Sequence, residues 1–135
     1  MKTAKIKYLG NLRTEATHNH SGKVIITDAP IDNNGKGEAF SPTDLMSTSL
    51  GCCMLTIMGI VAERNAIDLG VTSIEITKIM GTNPRRVVEI VVEIALAKKF
   101  EGKEKELLEN AALTCPVAKS LHPDLKQTVS FIYPS

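Results

Sequence analysis

The first third of the chain has the alternating, β-branched pattern of strands. Ala4 to Gly10 predicts an edge strand and Gly22 to Asp28 a second strand bounded by turn formers, with Arg13 to Asn19 as a candidate strand between them. Asp32 to Gly37 has the Asn and Gly content of an exposed loop. This part of the chain is therefore expected to form strands joined by turns.

The second half of the chain begins with the clearest hairpin pattern. Ser73 to Thr77 and Val88 to Ile94 alternate with a period of two residues on either side of the turn-forming segment Gly81 to Pro84. The even positions of the second strand are apolar, so one face is expected to cover a core. Glu101 to Leu113 then places leucines and alanines on one helical stripe, and Gln127 to Tyr133 predicts a closing strand.

A long uncharged helix lies between these two groups of strands. Ser41 has the properties of an N-cap, Pro42 suits the first helical position, and Asp44 can complete a capping box. No charged residue occurs from Leu45 to Val61. The segment approaches the length of a membrane span, but its many Ser, Thr and Gly residues make it less apolar than one. We therefore expect a buried helix and no membrane association.

A helix that is uncharged on every side must be covered on every side. One amphipathic sheet and one further helix offer too little cover in a domain of this size. The small residues Ser47, Gly51 and Gly59 would let another helix approach closely. These features predict an α+β fold with antiparallel sheets around a long central helix, in an intertwined homodimer.

Length and composition narrow the class of protein. At 135 residues the chain is the size of a single domain, residues 1–135. Its 16 basic and 15 acidic residues form no basic block, so nucleic acid is not an expected partner. The N-terminus has no secretory signal pattern, which predicts a cytoplasmic protein.

The three cysteines are the candidate reactive residues. Three cysteines without a CxxC pair fit neither a secreted disulfide framework nor a zinc site. Cys53 lies in the middle of the long helix, where a free cysteine is commonly a small buried hydrophobe. Cys115 precedes Pro116 and is therefore the expected N-cap of a short helix, where the helix dipole would stabilise a thiolate. Cys52 lies about 100° round the helix from Cys53, so whichever of the two faces Cys115 is the candidate partner.

A metal or other cofactor is not expected. His18 and His20 are two residues apart and could share a face, but no Cys or carboxylate cluster accompanies them. We interpret both as surface residues.

The chain resembles the osmotically induced protein C and organic hydroperoxide resistance (OsmC/Ohr) family from about Ser21 to Tyr133. The resemblance rests on three motifs in order, which are Ser41-Pro42-Thr43-Asp44-Leu45, Leu50-Gly51-Cys52-Cys53 and Cys115-Pro116-Val117. It implies an α+β domain that forms a tight, intertwined dimer with two sites at the interface. It also implies a redox protein of the oxidative stress response.

In this family's register the reactive cysteine falls on Cys53 and the resolving cysteine on Cys115. The resemblance implies a thiol-dependent peroxidase in which Cys53 attacks an organic hydroperoxide and the resulting sulfenic acid condenses with Cys115. A dithiol reductant would then restore the two thiols.

The chain departs from the family pattern at two positions. Classical members have an arginine in the loop before the long helix and a glutamate directly after its proline. Here the loop contains only Lys36, and Thr43 occupies the glutamate position with Asp44 one residue later. Asp44 is first a capping residue and second a candidate supporting residue. Lys36 or Arg13 could supply the cation that a reactive thiol needs.

Two other classes of function fit the same residues. The first is a non-catalytic dimeric protein that binds a small hydrophobic ligand in an apolar cleft, with the cysteines merely buried. The second is an assembly or regulatory partner without pocket chemistry. Loss of two thiols per chain on exposure to an organic peroxide would distinguish the peroxidase from both.

Overall fold

The computed structural model describes all residues from Met1 to Ser135, and they form two compact units, Met1–Met46 and Ser47–Ser135. The elements in chain order are β1 Ala4–Gly10, β2 Arg13–His18, β3 Val24–Asp28, a 3-10 turn Ile31–Asn33, α1 Pro42–Arg64, β4 Ser73–Gly81, β5 Arg86–Ala95, α2 Gly102–Leu113, α3 Pro116–Ser120 and β6 Lys126–Ile132.

The first unit contains an antiparallel sheet in the order β1-β2-β3. Its register places Ile6, Ala16 and Ile25 side by side on one face. Ile6 is 68% exposed and Ile25 is 49% exposed. A three-stranded sheet of this size therefore leaves an apolar face open in the single chain. The three strands agree with the sequence-based prediction, including the candidate strand in the middle.

The second unit contains a sheet in the order β4-β5-β6. The predicted hairpin is present, with β4 antiparallel to β5, but β6 runs parallel to β5. The prediction of purely antiparallel sheets is therefore wrong for this strand. The connection from β5 to β6 explains the difference. It contains α2 and α3, which carry the chain back across the sheet before β6 begins, and a crossover of this kind joins parallel strands.

The core of the second unit lies on one face of this sheet. Ile90, Val92 and Ile94 of β5 have 0% exposure, as the alternation predicted. Gly51 of α1 lies against β4, because a Cβ at that position would be only 3.1 Å from Ile76 Cδ1. Other fully buried apolar side chains come from α1 and α2, and they are Leu50, Met54, Met58, Leu108 and Ala112.

Helix α1 begins as predicted. The Ser41 backbone N–H donates to Asp44 Oδ2 at 3.0 Å, and the Asp44 N–H donates to Ser41 Oγ at 3.1 Å, which completes the capping box. In the single chain the helix is covered along one side only, and Cys52, Thr56 and Ile60 are exposed on another. It is the one helix long and apolar enough to cross a membrane by length and composition. Core helices of soluble proteins share those properties.

Candidate active site

The structure brings together the two cysteines that the sequence singled out. Cys53 is half-buried in the middle of α1, and Cys115 is fully buried at the start of α3. The Cys53 side chain lies close enough to Cys115 to affect the pKa of its thiol. Both residues belong to the second unit, so one compact part of the chain holds the whole pair. A pair of neighbouring thiols with unequal access to solvent can divide the tasks of attack and resolution.

The turn between α2 and α3 places Cys115. Helix α2 ends at Leu113, and the Thr114 hydroxyl donates to the Asn110 carbonyl at 2.8 Å. Pro116 starts α3, and Cys115 in extended conformation accepts the Ala118 N–H on its Sγ at 3.5 Å. Cys115 is therefore the N-cap of α3, as predicted from the Cys-Pro pair.

The electrostatics of Cys115 differ from the prediction. Burial raises the pKa of the Cys115 thiol above its ordinary value, and the neighbouring Cys53 raises it further. The N–H groups of Ala118 and Val117 act in the opposite direction, but burial is the larger effect. The predicted stabilisation of a Cys115 thiolate at the helix start is thus outweighed. Cys115 is held as a neutral thiol, which suits a resolving cysteine better than an attacking one.

The side chain of Cys52 is not part of this pair, although Cys52 precedes Cys53 in the sequence. It is exposed, and its neighbour in sequence, Cys53, is the residue that faces Cys115. The Cys52 carbonyl accepts the Thr56 hydroxyl at 2.8 Å, a bond within the helix. The structure therefore selects Cys53 from the two adjacent cysteines as the partner of Cys115.

Asp44 has a structural task that accounts for its position. Its carboxylate accepts the Ser41 N–H at the first turn of α1, whereas Cys53 lies in the middle of that helix. The capping assignment is confirmed. The supporting catalytic role that the sequence suggested for Asp44 stays a prediction.

Arg13 is held by two carboxylates that sequence reasoning did not connect with it. Its Nε and Nη2 bind Asp28 Oδ1 and Oδ2 at 2.7 and 2.9 Å, and Nη2 also binds Glu38 Oε1 at 2.9 Å. Asp28 is 1% exposed, and the Arg13 guanidinium holds the pKa of its carboxyl below the usual range. The Glu38 N–H, which donates to Asp28 Oδ2 at 3.1 Å, acts in the same direction.

The register of β2 against β3 was the signal that could have identified the contact between Arg13 and Asp28. Arg13 and Asp28 are directly opposite in the β2–β3 ladder, so a correct register predicts the contact. Lys36, the other candidate cation, is a further positive charge that lowers the pKa of Asp28.

The two N-terminal histidines lie on the surface, as expected. His18 and His20 have ring centroids 6.4 Å apart, and His18 Nδ1 is hydrogen-bonded to Ser21 Oγ at 2.6 Å. No group of three or more His, Cys, Asp or Glu side chains is arranged to hold a metal ion.

The fold is that of a known class of protein. A family model described as OsmC-like protein matches residues 35–130. The chain belongs to the OsmC-like protein family. No curated protein matches the chain.

Solved structures agree with this assignment. A protein of Psychrobacter arcticus 273-4, provisionally named an osmotic stress induced and detoxification response protein, is 53% identical with a TM-score of 0.93, over 97% of this chain and 96% of that one. An OsmC-like protein of Mycoplasma pneumoniae is 19% identical with a TM-score of 0.82, over 100% of this chain and 99% of that one.

A third structure shares the fold at low identity. It is an organic hydroperoxide resistance protein OsmC of Legionella pneumophila, also named a predicted redox protein and regulator of sulfide bond formation. It is 15% identical with a TM-score of 0.77, over 98% of each chain.

Proposed function

We propose that this protein is a thiol peroxidase that reduces organic hydroperoxides. The observation that carries the proposal is the proximity of half-buried Cys53 to fully buried Cys115. Membership of a family that includes organic hydroperoxide resistance proteins supports the choice of substrate.

In the first step the Cys53 thiolate attacks the terminal oxygen of the hydroperoxide. The O–O bond breaks, the alkoxide leaves and takes up a proton to become an alcohol, and Cys53 becomes a sulfenic acid. Cys53 suits this task because it is the member of the pair that solvent can reach.

In the second step Cys115 resolves the sulfenic acid. Its sulfur attacks Cys53 Sγ, the S–O bond breaks, and the hydroxyl leaves as water with the thiol proton of Cys115. The product is a Cys53–Cys115 disulfide. Because the two side chains are neighbours in the same unit, the sulfenic acid on Cys53 forms beside its resolving thiol.

A dithiol reductant completes the cycle, and burial decides which sulfur it attacks. Cys115 has 0% exposure, so an incoming thiolate reaches Cys53 Sγ first. A mixed disulfide forms on Cys53 while Cys115 leaves with its electron pair and is reprotonated. The second thiol of the reductant then displaces Cys53, so one dithiol is oxidised for each peroxide reduced.

The surroundings of Cys53 favour an alkyl or aryl hydroperoxide over hydrogen peroxide. Ile57 lies one helical turn after Cys53 and is half-buried, so it offers apolar surface beside the reactive sulfur. Leu50, Met54 and Met58 of the same helix have 0% exposure and form part of the core. Each methylene buried by the substrate is worth up to about 0.8 kcal/mol. We expect a higher kcat/KM for cumene hydroperoxide than for hydrogen peroxide, and an equal value would contradict the apolar site.

The working form in this proposal is a cytoplasmic homodimer. A reducing compartment is consistent with three free cysteines. A second copy would cover the exposed side of α1 and the open face of the first sheet.

Thiol titration before and after addition of cumene hydroperoxide tests the proposal. We expect rapid loss of two thiols per chain, reversed by a dithiol, with Cys52 left reduced. Thiols that stay intact at stoichiometric peroxide would contradict it and would favour the non-catalytic protein that binds a small hydrophobic ligand.

A further inference from the structure

The short helix that carries Cys115 has little apolar packing of its own. Helix α3 has five residues, Pro116–Ser120, and none of them is buried. A single helical turn is not stable in isolation, because fixing its backbone costs more than its few hydrogen bonds return. Polar contacts therefore add to the partial burial of Val117 and Ala118 in holding α3 in place.

One of these contacts ties α3 to the sheet. The side-chain amide of Gln127, in β6, donates to the Ala118 carbonyl at 3.0 Å. Ala118 in turn donates its N–H to Cys115 Sγ at 3.5 Å. Gln127 is paired in the parallel ladder with Ile90, a fully buried residue at the centre of the sheet. The bond thus connects the sheet to Ala118, the residue whose N–H donates to Cys115 Sγ.

We infer that Gln127 is a positioning residue for Cys115, which it keeps aligned with Cys53 for closure of the disulfide. The inference rests on the resolving function proposed for Cys115. In the proposed mechanism Gln127 takes no part in the attack on the peroxide. Its effect should therefore fall on the resolving step alone.

The variant Gln127→Met tests this inference, because it keeps the length of the side chain and removes its donor. After one equivalent of cumene hydroperoxide, we expect Cys53 to be oxidised at the parent rate and the sulfenic acid, trapped with dimedone, to persist longer. The disulfide should close about fivefold more slowly, the factor that corresponds to the net contribution of roughly 1 kcal/mol made by one neutral hydrogen bond.

Ser120→Ala is the matched control. Its hydroxyl donates to the Pro116 carbonyl at 2.8 Å, so the variant also removes one hydrogen bond from α3 but none to the sheet. We expect disulfide closure in this variant at close to the parent rate. Equal slowing in Ser120→Ala and Gln127→Met, or slowing of both peroxide attack and closure in Gln127→Met, would overturn the inference.

Diamide separates this inference from the proposed function. It oxidises neighbouring thiols to a disulfide without a sulfenic acid, so the closing step can be timed even if the protein ignores peroxides. Slower closure with diamide in Gln127→Met supports the positioning role whatever the peroxide result. Closure at the parent rate overturns that role even in an active peroxidase.

Discussion

At the scale of single residues, the two thiols are distinguished by burial. Both main-chain donors at the start of α3 favour a Cys115 thiolate, yet burial of the sulfur raises the pKa of that thiol. Cys53, on the exposed side of the pair, meets solvent and substrate first. The same asymmetry orders the reductive half of the proposed cycle, since an external thiol can reach Cys53 more easily than Cys115.

Replacement of each cysteine in turn tests these assignments. Cys53→Ser should abolish peroxide reduction, because Cys115 is fully buried and the exposed Cys52 does not face a resolving thiol. Cys115→Ser should still react once and leave a sulfenic acid that dimedone traps and mass spectrometry locates on Cys53. Cys52→Ala is the control, and its turnover should be close to that of the parent. Loss of turnover in Cys52→Ala with retention in Cys53→Ser would reverse the assignment.

Local sequence patterns predicted part of the geometry around Cys115 but not the electrostatics of its thiol. The Cys-Pro pair was sufficient to predict that Cys115 caps a helix, because capping depends on adjacent residues. The raised pKa of its thiol depends on burial by distant parts of the chain, which no local pattern records. The bonds from Arg13 to Asp28 and Glu38 were missed because they join residues 15 and 25 positions apart, which no local pattern connects.

At the scale of secondary-structure elements, the first sheet is held at one end by a charged pair. Asp28 ends β3 and is almost fully buried, while Arg13 begins β2 directly opposite and is 30% exposed. Two parallel N–H···O bonds join them, a geometry that gives strong, orientation-specific pairs. Removal of one partner would leave the other without its counter-charge.

Asp28→Asn should therefore lower the thermal unfolding midpoint at pH 7, and the difference from the parent should depend on pH. The folded-state pKa of Asp28 lies below its unfolded value of about 3.9. The stabilisation is thus complete above that value and is lost as the pH falls through the folded-state pKa. Calorimetry from pH 7 to pH 2 should show the two midpoints converging in acid.

Glu38→Gln provides the comparison for this prediction. Glu38 binds the same arginine but is 64% exposed, and exposed pairs contribute little. The thermal unfolding midpoint of Glu38→Gln should stay close to that of the parent over the same pH range. A constant difference between parent and Asp28→Asn down to pH 2 would show that the charge of Asp28 is not the cause.

The contact between α1 and β4 depends on the absence of a side chain at Gly51. A Cβ there would lie 3.1 Å from Ile76 Cδ1 and 3.2 Å from Ile74 Cγ2. Gly51→Ala should change the free energy of unfolding by less than about 1 kcal/mol, since the helix propensity of alanine offsets the tight contact. Gly51→Val should lower it by about 1–3 kcal/mol through overpacking. Urea unfolding measures both, and a valine variant as stable as the parent would contradict the close packing.

The order of elements followed from hydrophobic periodicity, whereas the direction of the last strand did not. All six strands and the two main helices lie where the pattern of the chain predicted them. The parallel pairing of β6 with β5 depends on the path of the intervening helices, and periodicity carries no information on strand direction.

At the scale of the whole molecule, the single chain leaves an unusual amount of apolar surface open. Only a third of the most apolar stretch of α1 is buried. The first sheet also exposes Ile6 and Ile25 on one face. Exposed apolar surface of this extent is typical of an interface. A second copy is the occupant we propose, because apolar helices with small residues such as Gly59 pack closely against one another.

Ile60→Glu tests the homodimer at the open side of α1. Ile60 is 38% exposed in the single chain, so a carboxylate at this position should cost a monomer little. In a dimer that covers this side, the same carboxylate would be buried without a partner and would weaken association strongly. We expect the parent to sediment as a dimer at micromolar concentration and the Ile60→Glu variant to shift towards monomer, with a thermal midpoint that falls on dilution.

The exposed residue Glu63, three positions further along α1, provides a control close to the charged end of the helix. Glu63→Gln removes a charge without adding one, so its sedimentation should match that of the parent. A parent chain that sediments as a folded monomer at micromolar concentration would exclude the homodimer outright. An Ile60→Glu variant that remains as tightly dimeric as the parent would place the interface elsewhere, with the exposed apolar face of the first sheet as the remaining candidate.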